Sequence, residues 1–578
     1  MDNQRLIIWG LFAFMVYLTW QTWMQDHAPP PPEPNAAPGE AALPVSDAPA
    51  DLDSLPDLDE DLSELPTVDP QAPITVADAA VEDDAERITV RTDVFEIVIN
   101  TLGGTVTQAK MLNYPVAKDM PDTKVMLLDS GEENFGQIRS WLRGKGEGTS
   151  APGAATVFDA AKTSYELNGE DTLVVPLTWT NDAGVDFEKR FVFSRGSYVI
   201  ALEQNVTNGG DAVWRGDQVT QLVKRSFTQE RSMFNVDSYS FDGALIYDGS
   251  KADKLKRDDL LDDGPVNFTS EDGWYASIQH HFMVAIVPDE PATNIFQARV
   301  DGNRLTASVI SAPQAIGPAQ TASFRRALFV GPKLQSQLEK VHPKLKLSVD
   351  YGWLTILSQP MFWLLSWIHK FVGNWGWSII GVTILIKGVF YKLTESSGRS
   401  MAKMREIQPR MKALQDRYKD DRQALSQAMM DLYKREKINP AAGCLPILIQ
   451  MPFFLAFYWV LVESVEMRQA PFALWITDLS SRDPYFILPL IMGAAMLFQQ
   501  KLNPAPADPV QAKVMQIMPV MFTGFFAFFP SGLVLYWVTN TLLSIAQQWN
   551  INKVVHAEAK AKKGGKKKKP KADSKDDS

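Results

Sequence analysis

Apolar residues are spread unevenly along this 578-residue chain, in two distinct rhythms. Six runs are almost free of charge: residues 6–24, 371–393, 444–462, 485–497 with its flanks, 514–529, and 533–546 with its flanks. A helix needs about 20 apolar residues to cross a bilayer, within a range of roughly 17–25. The runs therefore predict six transmembrane helices: an anchor within residues 1–27, then spans at about 371–393, 443–463, 484–500, 514–529 and 532–549. Between residues 87 and 332 the rhythm changes to alternation. "RITVRTDVFEIVIN", "VDFEKRFVFSRGSYVIALEQNVTNGG", "NRLTASVIS" and "SFRRALFVGP" place apolar and polar residues in turn, with Gly, Asn and Asp at the breaks. That is the period of a half-buried strand with turn residues between. It predicts one large antiparallel all-β domain, a sandwich over residues 88–340, ahead of a helical part over 341–550.

Two segments carry helical spacing with mixed polarity. In "YGWLTILSQPMFWLLSWIHK" the polar Thr355, Ser358, Gln359, Ser366, His369 and Lys370 recur among Trp353, Trp363 and Trp367. This predicts an amphipathic helix over 349–370 lying in the membrane interface. Residues 395–440 show Met401, Met404, Ile407, Met411 and Leu414 at three- and four-residue steps, then Leu425, Met429, Leu432 and Tyr433. They predict a helical hairpin. Pro409 is expected to kink or interrupt its first helix, and Asp420 with Gln423 to cap its second.

Charge turns these elements into a topology. The net charge of −11 averages opposites: no Lys or Arg occurs between Arg5 and Arg87, and the end of the chain is rich in lysine. Residues 28–87, rich in Pro and acids, hold too little apolar material to offset ordering entropy, so a disordered acidic linker is expected. The first run is bordered by Trp9, Trp20 and Trp23 and is longer than a signal-peptide core, which favours an uncleaved anchor. Residues 395–440 carry eleven cations from Arg399 to Lys437, and basic loops stay in the cytoplasm. Alternation from there puts both termini in the cytoplasm and the β domain outside. The basic tail, 551–578, then falls on the cytoplasmic side without adjustment.

Little points to catalysis. One cysteine, Cys444, rules out an internal disulfide. The six histidines are scattered, and no metal-ligand spacing, phosphate loop or nucleophile elbow occurs. No catalytic residue, metal or cofactor is expected. The informative polar residues lie inside the apolar runs. Lys387 sits about six residues, or roughly 9 Å, from the end of its predicted helix, with Thr383 and Tyr391 four residues either side. Tyr536, Asn540, Ser544 and Gln547 or Gln548 form a second stripe, Gln450 opens a third helix, and Gln516 and Thr523 mark a fourth. Two readings stand side by side. Lys387 snorkels toward headgroups, or the polar faces line a shared wet groove. Such a groove suits an insertase. A transporter, or a scaffold whose β domain does the work, are the alternatives.

"GNWGWSII" (373–380), "SMAKM" (400–404), "NPAAGCLPILIQMPFFLAFY" (439–458), "RQAPFALWITDLS" (468–480) and "FFPSGLVLYWVTN" (528–540), in this order, resemble the YidC/Oxa/Alb membrane-insertase family. "LGGTV" (102–106), "GWYASIQHHF" (273–282) and "FVGPK" (329–333) extend the resemblance more weakly into the β domain. A large β domain after the first span is the form found in Gram-negative members. The resemblance implies a bacterial inner-membrane insertase and chaperone. It would insert, fold and assemble small and nascent membrane proteins, alone or with the Sec translocon and its accessory membrane subunits, without nucleotide hydrolysis. It further implies a five-helix core with a hydrophilic groove, a periplasmic β-supersandwich and a mobile cytoplasmic hairpin.

Carried over residue by residue, Lys387 matches the groove's positive charge, where relatives more often have arginine. Thr383, Met451 and Phe454 match substrate-contacting positions, and Trp537 an aromatic one that is often tyrosine. Gln450, Tyr536 and Asn540 complete the candidate groove. Lys403, Arg405 and Lys412 of the hairpin, with Lys566, Lys567, Lys568 and Lys569 of the tail, are candidate contacts for a ribosome or for membrane lipids.

Overall fold

The computed structural model describes residues 85–132, 134–146, 149–225, 241–289, 292–418, 421–436, 445–502 and 509–566. The predicted anchor, nearly all of the acidic linker, Asp420, Cys444, Lys567, Lys568 and Lys569 lie outside the described residues.

The alternating region forms two large sheets, one of eleven strands and one of nine. Pairing is antiparallel throughout, apart from Arg87–Arg91 against Ser164–Glu166. Alternation does what its period requires. In Val185–Ser194 the residues Val185, Phe187, Phe191 and Phe193 are buried, and so is Lys189, while Asp186 and Ser194 face out. Trp214–Arg225 departs from the pattern. This central strand buries nearly every residue, Asp217, Gln218, Thr220 and Gln221 included. A strand covered on both faces has no period-two signal, which is why its sequence does not announce it. After the last strand, Thr321–Pro332, come a short helix, Gln335–Val341, and a 3-10 turn, Leu345–Ser348.

The helical part holds α1 (Thr355–Val372), α2 (Trp375–Val389), α3 (Tyr391–Arg417), α4 (Arg422–Glu436), α5 (Leu445–Glu463), α6 (Ile487–Leu502), α7 (Pro509–Phe526) and α8 (Ser531–Lys566). The helix predicted over 349–370 begins six residues later, at Thr355. Ser358, Met361, Phe362, Leu365 and Ile368 face inward, while Ile356, Trp363 and Phe371 are exposed.

The run predicted as one helix over 371–393 is divided among three. Gly373 takes a left-handed φ of 69° and ends α1, a conformation that costs glycine little. Asn374 then opens α2 by accepting the N–H of Trp377 at 3.1 Å. At the other end the chain bends by 68° between α2 and α3. Hydropathy alone cannot see these caps. The 15 residues of α2 span about 22 Å, short of the roughly 30 Å hydrocarbon layer. Among the described residues no single helix is long and apolar enough to cross a membrane. The bent pair α2 and α3 meets the length and composition together.

α3 runs through Pro409 without interruption. The side chain that caps α4 is Asp421, which accepts the N–H groups of Gln423 and Ala424 at 3.0 and 2.9 Å. Arg410 of α3 and Glu436 of α4 pair at 2.7 Å.

In the bundle α2 packs on α1 and α8, α6 on α7 and α8, and α5 on α1. Gly493 of α6 faces Thr523 of α7 so closely that a Cβ there would overlap its hydroxyl. Small residues permit such close helix approach.

One apolar core runs from the sheets into the bundle, joining Val330 and Leu338 to Tyr351, Phe457 and Leu533. Polar contacts reinforce this junction. Lys333 meets Glu463 at 3.4 Å, their side chains only 2% and 5% exposed. The Val462 carbonyl accepts from His281 at 2.8 Å and His280 at 3.2 Å. Arg468 donates to the carbonyls of Pro115 and Val116. Burial keeps His281 well below its usual range and hence neutral.

Burial also lifts the Glu466 carboxyl from 4.5 to about 7, against the pull of backbone amides and Lys333. The folded chain therefore holds a proton there that the unfolded chain releases, and stability falls as pH rises from about 4.5 to 7. Glu466→Gln removes that titration. Its melting temperature is expected to exceed wild type at pH 8, with the gap shrinking toward pH 5. A gap constant with pH would contradict this.

Candidate functional site

The bend after α2 changes the position of Lys387. The helix ends at Val389, so Lys387 stands in its last turn rather than six residues from the end. A cation there is favoured by the helix's unsatisfied carbonyls. The ammonium does not run out along its own helix. It turns inward and donates to Ser544 Oγ of α8 at 2.7 Å. The Ser544 hydroxyl in turn donates to the Asn540 carbonyl at 2.7 Å. Asn540 Oδ1 accepts from Gln450 Nε2 of α5 at 2.6 Å. Four polar residues on three helices thus form one connected seam. Nearer the bend, Gln547 donates to the Tyr391 carbonyl at 3.2 Å.

Helical spacing explains the assembly. Tyr536, Asn540 and Ser544 are four residues apart on α8, and Gln450 and Phe454 are four apart on α5, so each set shares a face. Beside the polar seam the same faces carry aromatics. Phe454 meets Trp537 edge-on at 4.7 Å, Phe457 lies 4.8 Å from Tyr536, and Phe526 of α7 lies 5.2 Å from Trp537. Tyr536 is wholly buried and Met451 is exposed.

Not every expected residue joins the seam. Thr383 is buried, with its hydroxyl bonded to the Ile379 carbonyl of its own helix at 2.7 Å. Arg405 donates to the carbonyls of Lys501 and Leu502 at the end of α6, a structural cap. Lys403 and Lys412 are exposed, and Lys566 is the last residue of α8. Ser544, part of the polar stripe read from the sequence, joins the arrangement, and so does Phe526, which was not among the candidate groove residues. The i+4 step from Asn540 is the sequence signal for Ser544. No local signal singles out Phe526.

A polar cavity of about 710 Å³ lies at the opposite end of α8, lined by His280, His281, Arg468, Asp478, Arg482 and Pro530 among others. Pro530 and Ser544 are fourteen residues apart, about 21 Å along a helix, so this cavity is distinct from the seam.

Residues 87–364 match the family model of the YidC periplasmic domain, and residues 367–559 that of the 60Kd inner membrane protein. The chain is 44% identical to the membrane protein insertase YidC of Nitrosococcus oceani over 575 residues, covering 96% of this chain and 100% of that one. It belongs to the YidC family. The YidC of Thioalkalivibrio sulfidiphilus is 46% identical over 575 residues, covering 98% of this chain and 100% of that one. Among solved structures, an active YidC insertase with its first transmembrane domain resolved aligns over 80% of this chain and 94% of that chain, at 19% identity and a TM-score of 0.36. The two-sheet region is thus the YidC periplasmic domain, and the helical part carries the inner-membrane match.

Proposed function

We propose that this chain is a membrane protein insertase and chaperone whose working surface is the seam from Lys387 through Ser544 and Asn540 to Gln450. The observation that carries the reading is that connected polar path between three apolar helices. A client's polar or acidic segment entering the bundle exchanges water for these groups, with Lys387 as the fixed positive charge. Met451, Phe454 and Trp537 offer apolar and aromatic surface to the client's hydrophobic helix. The driving free energy is the client's own. A charge at mid-bilayer costs about 2.5–3.5 kcal/mol. Ten leucine-class residues at roughly −0.3 to −0.6 kcal/mol each offset it with about 3–6 kcal/mol. No nucleotide is needed for that exchange.

The accompanying topology has six crossings, both termini and the α3–α4 hairpin in the cytoplasm, and α1 in the outer interface. Partners are nascent membrane proteins, the Sec translocon with its accessory subunits, and lipids. The basic hairpin and tail are the candidate ribosome contacts. The test is reconstitution of the purified full chain into nucleotide-free proteoliposomes with a small membrane protein whose acidic tail must cross. Protease protection of that tail, absent from empty vesicles, is the expected result. No protection, with folded protein and competent client, would sink autonomous insertion. Solute flux in its place would favour a transporter.

A further inference from the structure

The interior of the periplasmic domain contains a polar layer that the insertase reading does not use. Five strands carry apolar residues to either side of it. Leu142, Phe187, Val206, Trp214 and Phe324 belong to one hydrophobic cluster. Two steps or more along the same strands, Ile138, Phe191, Leu202, Leu222 and Leu328 belong to another. At the positions between, on the same inward faces, stand Ser140, Lys189, Gln204, Gln218, Thr220 and Arg326, all buried.

Register brings them together. Gln204 is directly opposite Lys189, Thr220 is opposite Ser140, and Arg326 is opposite Leu202, two residues from Gln204. The layer crosses the gap between the sheets. Lys189 of the nine-stranded sheet donates to the carbonyls of Gly103 and Ser140 at 2.6 Å. Arg326 of that sheet donates to Asn294 Oδ1, on the eleven-stranded sheet, at 2.6 Å. The two cations therefore anchor opposite flanks.

Between them, five polar atoms have no hydrogen-bond partner among the described residues: Gln204 Nε2, Gln218 Nε2, Gln218 Oε1, Thr220 Oγ1 and Arg326 Nε. Buried polar atoms are rarely left so. The set mixes donors with an acceptor. A small anion accepts only, and would leave Gln218 Oε1 unsatisfied. Water both donates and accepts. One buried water makes about three hydrogen bonds, four at most, so five atoms call for more than one.

We propose that this layer is an internal hydration site. It holds at least two ordered water molecules between Gln204 and Arg326 on one sheet and Gln218 and Thr220 on the other. The waters complete a polar stratum that separates two apolar cores. They also specify how the sheets face each other, since a slide of two residues would put Lys189 and Arg326 among phenylalanines and leucines.

The test is a crystal structure of the full chain, grown with bromide, at a resolution that shows ordered solvent. Two or more solvent peaks within about 3.2 Å of the named atoms, without anomalous signal, are expected. In Gln218→Met the peaks bound to Gln218 should disappear while those near Gln204 and Arg326 remain. Glutamines bonded directly to each other with no peak between them would overturn the proposal. An anomalous bromide peak in the layer would overturn it in favour of an anion site.

Discussion

Lys387→Ala is expected to slow insertion of a client with an acidic translocated tail about tenfold, while Lys387→Arg keeps most of the wild-type rate. Two unit charges 4 Å apart attract by about 1 kcal/mol in water and about 4 kcal/mol at an effective dielectric of 20. The half-buried Lys387 ammonium lies between these limits. A loss near 1.4 kcal/mol, a factor of ten, is the conservative end of that window. Arginine preserves the charge and still reaches Ser544, adding a planar fork that lysine lacks. Ser544→Ala removes the hydroxyl that holds the ammonium inward and should cost less than removing the charge. Initial rates of protease protection in proteoliposomes measure all of these, with a neutral-tailed client as control. The control should be nearly insensitive to Lys387→Ala. Equal rates for Ala, Arg and wild type on the acidic tail would return Lys387 to the role of a tolerated charge.

The second large effect concerns the junction between the periplasmic domain and α5. Lys333 and Glu463 are both almost fully buried, 3.4 Å apart. Burial pulls the Lys333 pKa down and Glu463 pulls it back up. Removing one partner of a buried pair typically costs about 3–5 kcal/mol, because the survivor is left charged in a poor solvent. Glu463→Leu or Lys333→Met should each destabilise the full chain by that much. At roughly 2.1 cal/mol/K of unfolding entropy per residue, a cooperative unit of 578 residues would melt about 2.5–4 °C lower. The double replacement, which buries two apolar groups in place of two charges, should recover most of the loss. Three melting curves in one detergent decide it. Additive losses in the double variant would show that the two side chains act independently.

Much of the architecture is legible in the sequence. The alternation in residues such as Val185 to Phe193 marks a half-buried strand, and the recurrence of Thr355, Ser358, Gln359, Ser366, His369 and Lys370 among apolar residues marks a helix. These are local periods of 2 and 3.6, set by where each Cβ points. Trp214–Arg225 escaped because a strand covered on both faces has no period to read. Hydropathy joins 371–393 into one apolar run because it sums side chains, whereas Gly373 and Asn374 end and begin helices through backbone conformation and capping.

For the site, the chain's own order determined which residues had to be explained: Lys387, Gln450, Asn540 and Ser544 are polar within apolar runs, wherever those runs end up. Their partners were a tertiary matter. Lys387 finds Ser544 across 157 positions and Gln450 finds Asn540 across 90. A charge's cost depends on what lies within a few ångströms, and only packing brings such distant groups that close. The same holds for the polar layer between the sheets, where each residue interrupts an apolar face and only the pairing of five strands shows that the interruptions coincide. Periodicity and composition are properties of neighbours along the chain. Desolvation and hydrogen-bond satisfaction are properties of neighbours in space.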